Sequence, residues 1–151
     1  MAYARDDLDI IDDAVALIRR HPDVYAGEAP RAARLAAKMT GDLLQFGARS
    51  VSAEMFGSWW VVTSQSDWLT INGVYHADYW HRIVAAPEIG LEAMRPEVLL
   101  TAFSRVLITV ARESMEFIVG NEIGNAALQM RLRALLVPEF RGRAVGFLIE
   151  E

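Results

Sequence analysis

Leu8, Ile11, Val15 and Ile18 recur at helical spacing and predict an amphipathic helix from Asp7 to Arg20. Asp6 or Asp7 is placed to cap its first amides, and Pro22 to stop it. Pro30 suits the first turn of a second helix. Ala32, Leu35, Ala36, Met39, Leu43 and Phe46 give that helix its apolar stripe, and Gly47 ends it. The period then changes to two: Val51, Ala53 and Met55 alternate through Ser50 to Phe56. Gly57-Ser58 offers a two-residue hairpin turn, and Trp59 to Ser64 reads as the returning strand, rich in β-formers. Residues 66–95 carry a weaker pattern, with a turn at Asn72-Gly73 and a short helix over Asp78 to Ala85. Pro96 opens an apolar helix that runs to Arg112 through Val98, Leu99, Ala102, Val106 and Val110. Met115 to Val119 reads as a strand, Asn125 to Leu136 as a helix ended by Pro138, and Arg143 to Ile149 as a last strand. The order α-α-β-β-α-β-α-β predicts an α/β (α+β) two-layer sandwich with its helices on one sheet face. No repeat, low-complexity tract or Gly/Ser linker interrupts it, and 151 residues fit one domain spanning 1–151.

Composition narrows the classes. Hydrophobic residues make up 53% and charged residues 23%, a globular balance. The net charge is −5 and the basic residues form no long run, which argues against a nucleic-acid partner. The chain contains no cysteine, which excludes disulfides, thiolate metal sites and thiol catalysis. No basic-then-apolar leader follows Met1, and no apolar run approaches the roughly 18 residues of a membrane span. The expectation is a cytoplasmic protein with no membrane partner.

Residues 19–28 read Arg-Arg-His-Pro-Asp-Val-Tyr-Ala-Gly-Glu. This stretch resembles the loop leading into the ATP-binding helix of the DNA gyrase B ATPase domain, which has the form Arg-Lys-Arg-Pro-Gly-Met-Tyr-Ile-Gly. That domain belongs to the gyrase, Hsp90, histidine kinase and MutL superfamily. Under the resemblance, Arg31 to Phe46 takes the place of the helix that carries a catalytic Glu and a metal-binding Asn. Val51 to Ser64 takes the place of the hairpin that delivers an Asp-x-Gly-x-Gly motif to adenine. Pro87 to Ala93 resembles the link into the next long helix, and Leu128 to Leu136 the helix before the closing strand.

The departures from the pattern carry the functional reading. Ala36 to Gly41 holds neither the Glu nor the Asn, and Asp42 is the nearest carboxylate. Ser64-Gln65-Ser66-Asp67-Trp68 stands where the Asp-x-Gly-x-Gly motif belongs, with Ser64 at the adenine-reading position. Only Gly120 and Gly124 lie where a phosphate-wrapping lid would be, and the connection is too short for one. Without base, metal ligand and phosphate donors, hydrolysis has no chemistry to run on. The resemblance therefore implies a truncated gyrase-B-like fold without the ATP lid: a pseudo-ATPase with a re-purposed apolar pocket, no cofactor and no metal. Its expected ligand is a small apolar molecule. Its expected chemistry, if any, is a cofactor-independent acid/base cyclisation, dehydration or isomerisation in specialised metabolism. The alternatives are a regulatory protein that mimics the gyrase subunit and an atypical nucleotide binder.

Candidate residues follow. His76, Asp78 and His81 form the densest polar cluster, suited to proton transfer near neutral pH, with Asp42 as a further carboxylate. The competing reading of the cluster is an amphipathic surface helix whose aromatics face inward. Tyr25, Met39, Trp60, Val62, Ser64, Trp68 and Trp80 are the candidate ligand-binding residues. The tryptophans either wall a cavity or fill the volume left by a lost cofactor. Alternation puts Trp60 and Trp59 on opposite faces of their strand, so a second buried surface is expected, with a homodimer contact as one way to supply it. Asp42, Glu54 and Asp67 otherwise read as solvated carboxylates.

Overall fold

The computed structural model describes residues 13–26, 31–121 and 124–149. Asp6, Asp7 and Pro30, the expected cap and helix-opening residues, lie outside them. The first described helix, α1 (Ala14–Arg20), is capped by Asp13, whose carboxylate accepts the Ala16 amide at 3.2 Å. Pro22 does not simply end the helical run but opens a second short helix, α2 (Pro22–Ala26), as suits a residue that lacks an amide proton. Helix α3 (Ala32–Gln45) buries Leu35, Ala36, Met39 and Leu43, the expected stripe.

The expected first hairpin is present. Strands β1 (Ser52–Phe56) and β2 (Trp59–Ser64) pair antiparallel, and Phe56 faces Trp59 across the Gly57-Ser58 turn. A second, very short hairpin, β3 (Thr70–Ile71) and β4 (Val74–Tyr75), closes over Asn72-Gly73. The short helix expected over Asp78 to Ala85 is a single 3-10 turn, Ala77–Trp80.

The helix expected from Pro96 to Arg112 is instead two elements. Helix α4 (Glu97–Phe103) ends and strand β5 (Ser104–Ala111) begins directly. Strand β6 (Ser114–Val119), helix α5 (Ala126–Arg133) and strand β7 (Arg143–Ile149) follow. The change comes at the β-branched run Val106, Ile108, Thr109, Val110, which favours a pleated strand. Both faces of β5 are buried, so its apolar run lacks the alternation that marks a half-exposed strand.

The five long strands form one antiparallel sheet in the order β1-β2-β7-β5-β6. A mixed α+β sandwich is thus observed, but helices cover both faces rather than one. On the first face, α1, α3 and α4 pack against Val62, Leu107, Val145, Phe147 and Ile149, with Trp80 and Leu69 in the same core. On the second, Leu128 and Leu132 of α5 pack on Val61, Val106, Ile108 and Ala144, and Trp59 joins them. Glu54 on β1 accepts Arg131 Nε of α5 at 2.8 Å across this face. The second buried surface expected from the Trp59/Trp60 alternation is therefore supplied by the chain itself. Gly146 makes the close approach: a Cβ there would stand 2.9 Å from Leu128 Cδ1. Among the described residues no helix is long and apolar enough to cross a membrane.

Candidate functional site

The densest convergence of polar groups lies where the first sheet face runs out beyond its core. Arg143 opens β7 and is 4% exposed. The sheet register sets it beside Ala111 of β5, and Ala111 beside Ser114 of β6. Thr109, one pleat further along β5, faces Glu116. The segment 67–75 folds back over this floor. It is held by an Asp67 carboxylate that accepts the Leu69 amide at 3.3 Å and the Thr70 hydroxyl at 2.7 Å. Leu69 is fully buried and anchors the segment to the core.

Three groups fix the Arg143 guanidinium. Its Nε donates to Asp67 Oδ1 at 2.7 Å, and its Nη2 reaches Asp67 Oδ2 at 3.4 Å. Its Nη1 donates to Thr109 Oγ1 at 2.8 Å, and that hydroxyl in turn donates to the Ala144 carbonyl. The Tyr75 ring lies over the guanidinium carbon at 4.5 Å, a cation–π geometry. A second arginine, Arg112, stands on the β5–β6 turn with its Nε 3.9 Å from Asp67 Oδ2. Burial works to raise the Asp67 pKa, but the hydrogen bonds and charge of Arg143, with help from Thr70 and Leu69, outweigh it and hold the carboxyl below its ordinary value.

The Tyr75 hydroxyl links the core to the surface. It accepts the indole N–H of the fully buried Trp80 at 3.0 Å and donates to Glu116 Oε2 at 3.1 Å. Burial, with the Glu116 charge, raises the Tyr75 pKa against the opposing Trp80 and Arg143 contributions, so the phenol stays protonated and acts as a donor. Thr70, Tyr75, Thr109, Ala111, Arg112, Ser114, Glu116 and Arg143 together enclose a cavity of about 250 Å³.

The residues expected from sequence fall elsewhere. Met39, Val62 and Trp80 are fully buried in the first core. Tyr25 packs partly buried against it. The Ser64 hydroxyl donates to the Arg49 carbonyl at 2.7 Å and accepts the Ser66 amide, shaping a turn. Trp60 borders a shallow cavity with Met55 and Ile149, and Trp68 borders a different one with Phe46 and Arg95. Of the proton-transfer candidates, the Asp78 carboxylate pairs with Arg82 at 3.1 Å, the His76 ring lies 4.8 Å from the Tyr79 ring, and His81 is exposed. Asp42 is buried and Asp67 is partly buried with its side chain 8% exposed, rather than solvated, whereas Glu54 is exposed. Asp42 Oδ2 forms an ion pair with Lys38 Nζ at 3.0 Å, although the angle is not that of a hydrogen bond. Among the described residues no group of three or more metal-ligating side chains converges.

Sequence spacing does not point to Arg143, Thr109, Tyr75 or Glu116, which lie on separate segments. The one local signal is Asp67, three residues before Thr70, the spacing of a side chain that folds back on its own loop. No protein-family model, no curated protein and no solved structure matches the chain.

Proposed function

We propose that this chain is a small-molecule-binding domain whose ligand occupies the cavity between the end of the sheet and the 67–75 segment. The observation that carries this reading is Arg143: a guanidinium 4% exposed, oriented by Asp67, Thr109 and the Tyr75 ring, that still lines a cavity. Desolvating such a charge is costly, and fixing its orientation by a supporting shell is how recognition sites are made. Three charged groups, Arg112, Glu116 and Arg143, line the cavity, which favours a small ligand that carries charge over the wholly apolar one expected from sequence.

The gyrase-B-like derivation, without ATP hydrolysis, belongs to the same proposal. The absence of hydrolysis is supported residue by residue: Ala36 to Gly41 offers no carboxylate, and the Ser64 hydroxyl is committed to a turn. Met39 and Val62 fill the space between α3 and the sheet. Binding is proposed in place of an acid/base step, because the partners of His76, Asp78 and His81 do not converge.

Amide NMR titration with small polar probes (1,2-propanediol, propionate, propylamine, β-alanine) tests the site. Saturable shifts confined to residues lining the cavity are expected, and no shift from any probe would overturn the reading. Calorimetry with magnesium and ATP is expected to show neither hydrolysis nor tight binding, and a micromolar affinity would overturn the pseudo-ATPase part.

A second reading, self-association, is favoured by β1. It is a sheet edge with every residue exposed, Met55 at 62% and Phe56 at 41%. An open edge of this kind is a template for a second copy of the same strand, and a two-fold pair is self-complementary. Light scattering that finds a monomer at every concentration removes it.

A further inference from the structure

We infer that the cavity selects a zwitterion of amino-acid size, its carboxylate against Arg143 and Arg112 and its ammonium against Glu116. This rests on the ligand-binding reading above. The lining charges are dipolar. Arg143 on β7 and Glu116 on β6 flank β5 from opposite sides, and Arg112 stands on the β5–β6 turn at the end of β5. Between them the floor is Ala111 and Ser114, whose short side chains leave room for a ligand. Neighbouring strands lie about 4.8 Å apart, so β7 and β6 are separated by about 10 Å and their long side chains reach a ligand on β5 from both flanks.

The charges do not cancel locally. Asp67 is shared by two guanidiniums, at 2.7 Å to Arg143 and 3.9 Å to Arg112, so the three groups together keep one positive charge. Glu116 is met by the Tyr75 hydroxyl, which is neutral, and keeps its negative charge. A simple anion placed here would satisfy the arginines but face Glu116 unpaired. A simple cation would face the arginines. A molecule with both charges satisfies both ends, and an unpaired charge is the element that discriminates against the others. The Thr70 and Thr109 hydroxyls give their protons to Asp67 and to the Ala144 carbonyl, so among the lining hydroxyls Ser114 is the one placed to donate to a ligand.

Size limits the ligand. The cavity volume is about 250 Å³. It falls below the roughly 300–1,000 Å³ of sites for drug-sized ligands. A molecule of fewer than about ten non-hydrogen atoms is the fit.

The test is an amide NMR titration of the wild type, Glu116→Gln and Arg112→Gln, both exposed positions, with glycine, β-alanine, γ-aminobutyrate, propionate and propylamine as probes. One of the three zwitterions is expected to bind most tightly at the lining residues. Glu116→Gln should weaken it about tenfold, the worth of one charged contact, and leave propionate unweakened. Arg112→Gln should weaken the zwitterion and propionate alike. Propionate binding as tightly as every zwitterion, with Glu116→Gln changing neither, overturns the zwitterion assignment and leaves a binding site for anions. Propylamine binding most tightly overturns it too. No probe shifting any lining residue overturns the ligand-binding reading and this inference together.

Discussion

Arg143 Nε lies 2.7 Å from Asp67 Oδ1 and joins the first residue of β7 to a segment 76 positions earlier. Their side chains are 4% and 8% exposed. The pair holds the 67–75 segment down over the sheet and so places Tyr75 and Thr70 on the cavity. Asp67→Asn keeps the shape but leaves Arg143 buried and Arg112 nearby as a like charge. Breaking a buried pair from one side costs about 3 kcal/mol or more. Replacing Arg143 by Met in the same background removes the stranded charge and should restore much of that loss. Urea unfolding of the single and double variants measures both. An Asp67→Asn protein as stable as wild type would mean that the pair does not organise the segment.

The same carboxylate contributes to the acid limb of stability. Its folded pKa lies below the ordinary 3.8, so the unfolded chain binds the proton more readily. The stabilisation is complete above that ordinary value and is lost as pH falls through the lower, folded value. Glu97 runs the other way. It is fully buried with Arg95, and burial raises its pKa against the lowering charge of Arg95. Its contribution is present at low pH and is lost as pH rises through the raised value. Urea midpoints across a pH series should therefore show a weaker fall below about pH 4 in Asp67→Asn than in wild type, with the Glu97 slope at higher pH retained. Identical acid limbs would remove Asp67 as their source.

Elements that announce themselves in local chemistry were legible in the sequence. Gly57 adopts φ 62° and Asn72-Gly73 adopts 53° and 79°, left-handed conformations that these residue types signal. The β5–β6 turn uses the same geometry with Arg112 at 53° and Glu113 at 60°, and nothing in those side chains advertises it. With the turn hidden and both faces of β5 buried, that segment reads as helix. The candidate site was hidden for a different reason. Arg143 is brought to Ala111 by the β7–β5 pairing, a long-range contact that no local spacing encodes, and Glu116 by the β5–β6 hairpin, whose turn is the hidden one. Trp80 was legible as important but not in its role, which is to hold the Tyr75 hydroxyl from the core.

Two glycines separate a side-chain obstacle from a backbone one. At Gly146 a Cβ would meet Leu128 Cδ1 at 2.9 Å and Leu132 Cδ1 at 3.1 Å, the ends of side chains that can give slightly. At Gly142 it would strike the Ser64 carbonyl oxygen and approach Gln65 Cα at 2.8 Å. Overpacking costs about 1–3 kcal/mol, with Gly146→Ala expected near the lower end and Gly142→Ala near or beyond the upper. Because Gly142 leads directly into Arg143, its variant should also lose probe binding in the cavity, whereas Gly146→Ala should retain it. Thermal unfolding and the NMR titration read the two effects. A Gly142→Ala protein as stable as Gly146→Ala would contradict the close approach of β7 to the end of β2.

Tyr75→Phe isolates the hydroxyl that joins Trp80 to Glu116. The phenylalanine ring keeps its place over the Arg143 guanidinium, so the cation–π contact survives. What is lost is the acceptor for the Trp80 indole N–H, which lies on a fully buried residue. A buried donor left without a partner costs about 1–3 kcal/mol. The Trp80→Phe variant removes the donor and opens a void, so its own cost combines a packing loss with the lost bond. If the two groups act through one hydrogen bond, the double variant is less destabilised than the sum of the singles, because the stranded donor is gone. Urea unfolding of the four proteins closes this cycle, and the Trp80 indole resonance in Tyr75→Phe reports the lost partner directly. Strict additivity together with an unshifted indole resonance would show that Trp80 supports the core alone and does not position Tyr75 on the cavity.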